Sequence, residues 1–143
     1  MLLFKKVLAI NKKMENTKKI ILVADDDEDL LELSMMALTT KGFEVLQAKD
    51  GKEVMEWLER KSDQISLVLL DIVMPEMDGF EVLEKMQKNE KYRKIPVIVC
   101  SNLDNDADRQ TVFSLGETRS CLSSESVFCL SFVSLVSSVL STR

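Results

Sequence analysis

Leu67-Val68-Leu69-Leu70-Asp71 is the stretch on which the fold turns. Four apolar residues closed by one acid suit a strand buried on both faces of a parallel sheet. Two further runs share this form. Ile20-Ile21-Leu22-Val23-Ala24 ends in Asp25-Asp26-Asp27, and Val97-Ile98-Val99-Cys100 ends in Ser101-Asn102. Phe43–Ala48 reads as a fourth strand, less apolar and so nearer an edge.

Helical patterns lie between these runs. Asp29–Lys41 sets Leu30, Leu33, Ala37 and Leu38 on one face, and Gly42 stands where a helix end favours glycine. Lys52–Lys61 offers Val54, Trp57 and Leu58, and Phe80–Asn89 offers Phe80, Leu83 and Met86. Asp104–Leu115 offers Ala107, Val112, Phe113 and Leu115, with Gly116 as a stop. Strands alternating with such helices imply βαβ units and a doubly wound α/β fold.

The 143 residues suffice for one domain. Histidine is absent, which excludes Ser-His-Asp catalysis, His-ligated metals and phosphohistidine chemistry on this chain. Cys100, Cys121 and Cys129 show no CxxC spacing and read as reduced, cytosolic thiols. The net charge of −5 divides unevenly. Residues 1–13 carry +4, residues 14–116 carry −9, and residues 117–143 balance to 0. An acidic middle argues against nucleic acid and suits a hard cation.

In doubly wound folds, ligands sit beyond the carboxyl ends of the strands. Asp25, Asp26, Asp71 and Ser101 should converge there. One such Asp would read as a turn residue or a helix cap. Three central strands ending in Asp-Asp, Asp and Ser read as a single site. Carboxylates without His or Cys select an oxygen-loving cation, with Mg²⁺ the natural candidate. An Asp beside such an ion can attack phosphorus and form an acyl phosphate.

ILVADDDEDL, LVLLDIVMPEMDG and IPVIVCSN together resemble the signatures of a bacterial response-regulator receiver domain, chemotaxis-regulator-like, over about residues 18–116. The resemblance implies a flavodoxin-like strand order 2-1-3-4-5. It implies that Asp71 is the phosphoacceptor, that Asp26 ligates the metal directly and that Asp25 acts mostly through metal-bound water. It further implies a metal ligand in the Val73 carbonyl, a phosphoryl contact from the Ser101 hydroxyl, and a turn into the third helix at Met74-Pro75 and Asp78-Gly79. Asp27 reads as a helix-start residue.

The resemblance stops after Gly116. An active-site Lys would be due near Ser123, yet no Lys follows Lys94, and the switch aromatic has no counterpart. Nine of the 24 residues 120–143 are Ser. The last strand and helix are therefore expected to be atypical or missing, and the composition shift is what a changed reading frame would produce. Val127–Leu140 offers a helical stripe of Phe128, Phe132, Leu135, Val136 and Val139, and is too short to span a bilayer. At the other end, MLLFKKVLAINKK makes a poor signal peptide, with Met14 the expected start.

The expected organisation is an N-terminal extension (1–17), a receiver domain (18–116) and a Ser-rich apolar tail (117–143). The expected role is a cytoplasmic phosphoacceptor, not an enzyme, that takes phosphate from a sensor histidine kinase or phosphotransfer protein and signals to a downstream protein target. Neither nucleic acid nor membrane is an expected partner. The alternative is a degenerate pseudo-receiver acting only through protein contacts. An aspartate-nucleophile phosphatase of the haloacid-dehalogenase type is disfavoured, because Val73 stands where that chemistry needs a second acid.

Overall fold

A computed structural model of the chain describes residues 2–3, 5–6, 18–100, 107, 110–111, 114, 118–121 and 130–141. The elements run β1 (Ile20–Ala24), α1 (Glu28–Thr40), β2 (Glu44–Ala48), α2 (Gly51–Lys61), β3 (Ile65–Leu70), α3 (Gly79–Lys88), β4 (Val97–Cys100), β5 (Thr118–Cys121) and α4 (Leu130–Ser141). The five strands form one parallel sheet in the order β2-β1-β3-β4-β5. This is the doubly wound arrangement expected from the apolar runs.

Side chains alternate between two cores. On one face Leu22, Ala24, Val68, Leu70, Val97 and Val99 meet Val54 and Leu58 of α2 and Val82, Leu83 and Met86 of α3. On the other, Ile21, Val23, Leu67, Leu69 and Ile98 meet Leu31 and Leu38 of α1 and Val136, Val139 and Leu140 of α4. Three helices begin at an Asp whose side chain accepts backbone N–H groups. Asp27 caps Asp29 and Leu30, Asp50 caps Glu53, and Asp78 caps Glu81. Each cap satisfies donors that the first helical turn leaves unpaired. Gly42 ends α1 at φ +88°, as its position suggested.

One expectation needs correction. The buried residues of α1 are Leu31, Ser34 and Leu38, while Leu30 and Ala37 are half-buried and Leu33 is 44% exposed. The apolar residues of this helix spread over more than one stripe, so spacing alone picked a neighbouring one. Of the two alternatives for the last strand and helix, atypical or missing, both elements are present. The open edge of β4 supplies a ladder for Thr118–Cys121, and α4 covers the sheet with Val136, Val139 and Leu140. Val136 and Val139 belong to the expected stripe. Phe128 and the side chains of Phe132 and Leu135 lie outside the described residues. So does most of Asp104–Leu115, of which Ala107, Gln110, Thr111 and Ser114 are helical.

Lys19 ties the two ends of the fold together, its Nζ donating to the Leu140 carbonyl at 2.6 Å. No helix among the described residues is long and apolar enough to cross a membrane.

Candidate metal and phosphoacceptor site

The sheet register builds the site. Ala24 is paired with both Ala48 and Leu70, so the residues that follow leave the sheet side by side. The Asp71 N–H donates to the Ala24 carbonyl at 2.9 Å, and the Asp25 N–H to the Ala48 carbonyl at 3.1 Å. These two bonds extend the ladder one step beyond the strands and bring Asp25 and Asp71 together. One carboxylate oxygen each from Asp25, Asp26 and Asp71 lies within 4.8 Å of the others. Asp26 is exposed, while Asp25 and Asp71 are half-buried.

Backbone donors orient two of these groups. Asp25 Oδ1 accepts from the Asp27 N–H at 3.0 Å, and Asp71 Oδ1 accepts from the Val73 N–H at 3.2 Å. Burial pushes the Asp25 carboxyl up from 3.8 to about 6; the Asp27 N–H opposes the rise, and the charges of Asp71, Asp26 and Asp27 add to it. Crowded carboxylates of this kind fit a hard divalent cation, which would relieve their repulsion.

The loop after β3 is clamped from two sides. A Cβ on Gly79 would lie 2.5 Å from the Asp71 carbonyl oxygen, so any other residue at the start of α3 would force the backbone to shift. A Cβ on Gly51 would lie 2.4 Å from the Met77 carbonyl oxygen, to which the Gly51 N–H donates at 3.1 Å. Glu76 sits at φ +65° in this loop and pairs with Lys52 at 2.5 Å. Lys49 and Glu28 pair at 2.5 Å, joining the end of β2 to the start of α1. The contribution of Gly51 was missed at the sequence level; its signal was the turn-forming Asp50-Gly51 pair.

Asp25, Asp26 and Asp71 are thus brought together, and Asp27 is a helix cap. Val73 is 69% exposed, with its N–H turned to Asp71. Ser101 and Asn102 lie outside the described residues.

The family model for the response regulator receiver domain matches residues 21–121. The chain belongs to this family. Among relatives of this receiver domain, response regulator RR06 of Streptococcus pneumoniae is 44% identical over 95 residues, covering 66% of this chain and 42% of that protein. The probable transcriptional regulator ycf27 of Pyropia yezoensis is 35% identical over 103 residues, covering 72% of this chain and 40% of that protein. The chain thus spans about two fifths of the length of these curated relatives. Among solved structures, the non-phosphorylated HemR receiver domain of Leptospira biflexa superposes with a TM-score of 0.76 at 26% identity, covering 87% of this chain and 95% of that one. The chemotaxis protein CheY4 of Vibrio cholerae gives 0.75 at 20% identity, covering 85% and 98%, and shares the fold of this receiver domain.

Proposed function

We propose that this receiver domain accepts a phosphoryl group on Asp71 within a two-component phosphorelay. The observation that carries the reading is the convergence of Asp25, Asp26 and Asp71 within 4.8 Å at the carboxyl ends of β1 and β3.

An Asp71 carboxylate oxygen attacks phosphorus of a partner's phosphohistidine. The P–N bond breaks, the imidazole leaves and an acyl phosphate remains. The Val73 N–H fixes the rotation of the Asp71 carboxylate. Asp25, Asp26, Asp71 and the Val73 carbonyl would hold Mg²⁺, which when bound offsets charge on the phosphoryl oxygens. The Ser101 hydroxyl donates to the transferred group. In this reading the domain is a phosphoacceptor and not an enzyme. It works in the cytoplasm between a sensor histidine kinase or phosphotransfer protein and a downstream protein target, without nucleic acid or membrane as its own partner. Its working unit is residues 18–116, with 1–17 and 117–143 as extension and tail.

A second reading, a degenerate pseudo-receiver that acts only through protein contacts, is favoured by the lack of any Lys after Lys94. A lost charged hydrogen bond to phosphate is worth about 1.5–3 kcal/mol. That weakens the response to phosphorylation without removing the nucleophile, so the first reading stands ahead. Val73 at the place of a second acid leaves a phosphatase without its proton donor.

Acetyl phosphate with Mg²⁺, followed by intact-mass measurement, tests the proposal. The expected result is one phosphoryl group on the parent and none on Asp71→Asn. A folded parent that stays unlabelled, or an Asp71→Asn variant labelled equally, overturns it.

A further inference from the structure

Two cysteines end neighbouring strands on the same rung. Cys100 closes β4, Cys121 closes β5, and the parallel register pairs their Cα atoms directly. Paired positions on adjacent strands stand one interstrand spacing apart, about 4.8 Å. Disulfide-bonded cysteines have Cα atoms roughly 4.4–6.8 Å apart. Cys100 packs against the cluster in which Ile98 meets Val136 and Val139 of α4. Cys100 is a half-buried thiol.

We propose that Cys100 and Cys121 form a reversible disulfide, a modification site that fastens β5 to β4. The oxidant is a small disulfide of the glutathione class. The thiolate of one cysteine attacks it, forming a mixed disulfide and expelling one small thiolate. The thiolate of the other cysteine then displaces the second. Two protein thiols are oxidised and one small disulfide is reduced to two thiols, which take up the two protons released by the protein.

The position gives the bond a purpose. Among the described residues β5 has only β4 as a neighbour in the sheet, and Thr118-Arg119-Ser120 brings no large apolar residue to hold it there. The ladder to β4 is the contact that the staple would lock. The closed loop runs from 100 to 121. The inference stands on strand register and does not depend on the phosphoacceptor reading of Asp71.

The full-length chain is incubated with oxidised glutathione, quenched with iodoacetamide, digested without reduction and mapped by mass spectrometry. The expected product is a Cys100–Cys121 linked peptide pair, with Cys129 alkylated and the chain lighter by two hydrogens. Its melting temperature rises by roughly 10 °C, and dithiothreitol reverses the gain. Cys121→Ser loses both the link and the shift, while Cys129→Ser keeps both. Should Cys121→Ser fail to fold, the linked peptide of the parent decides. A Cys100–Cys129 link, glutathione retained on Cys100, or alkylation of all three cysteines overturns the proposal.

Discussion

Gly79 and Asp71 are in backbone contact across the turn that follows β3. A Cβ on Gly79 would lie 2.5 Å from the Asp71 carbonyl oxygen and 2.7 Å from the Ile72 Cα. The Gly79 N–H also donates to the Ile72 carbonyl at 2.9 Å. The first turn of α3 therefore braces the backbone that carries the candidate nucleophile. Gly79→Ala must push this backbone aside, at a cost of about 1–3 kcal/mol. Urea denaturation is expected to show a lower midpoint, and labelling by acetyl phosphate to slow. An unchanged midpoint would mean that the turn yields without strain.

Stability should vary with pH through Asp25. Its carboxyl is raised from 3.8 to about 6 in the folded protein, chiefly by burial. The folded state therefore holds this proton more tightly than the unfolded chain does. Below about pH 4 both states are protonated and nothing is lost; as pH rises toward about 6 the unfolded chain ionises first, and the stability lost stays lost above that window. In metal-free buffer, Asp25→Asn should be more stable than the parent by about 1–2 kcal/mol near neutral pH, allowing for partial solvent screening. The gain should vanish at about pH 4. Urea titrations in the presence of a chelator check both points.

Mg²⁺ affinity should separate the two neighbouring acids. A group acting through metal-bound water typically changes affinity about 10–100-fold when removed. Asp25→Asn is expected near the lower end of that range and Asp26→Asn beyond it, because a direct ligand loses more than a bridged one. Calorimetry on the full chain measures both. Equal affinities in the parent and Asp26→Asn would remove Asp26 from the ligand set.

Amide exchange should grade the sheet from centre to edge. β1 and β3 are flanked by strands on both sides, whereas among the described residues β5 has one neighbour, and its sequence is polar. Residues 118–121 and 130–141 are expected to exchange faster than 20–24 and 65–70 under reducing conditions. Equal protection would make the tail as integral to the fold as the central strands, and would remove the main support for a changed reading frame.

Much of this was legible in the residues themselves. Runs such as Leu67–Leu70 admit few interpretations, because a continuous apolar stretch must be covered on both faces. Once their carboxyl ends are aligned, the acids that follow must meet, and so Asp25, Asp26 and Asp71 could be found without coordinates. The buried face of α1 could not, since Leu30, Leu31, Leu33, Met35, Met36 and Leu38 offer several apolar stripes and nothing local marks Ser34 as buried. Thr118-Arg119-Ser120-Cys121 lacks strand patterning of its own; the unpaired edge of β4 decides its conformation. Gly51 was hidden for a different reason, since the group it must accommodate, the Met77 carbonyl, is distant in sequence and close only in space.

The placement of β1 between β2 and β3 has a consequence for how the chain is made. β1 is synthesised before the other four strands of this sheet, and β2 can cover one of its edges as soon as α1 has crossed over. The opposite edge waits for residues 65–70, a delay of roughly one to a few seconds at ribosomal speed. During that interval an entirely apolar strand presents unpaired N–H and C=O groups to whatever is nearby, including other nascent chains. Losses to aggregation during expression should therefore track the elongation rate between β2 and β3, and pauses there should be more harmful than pauses later in the chain.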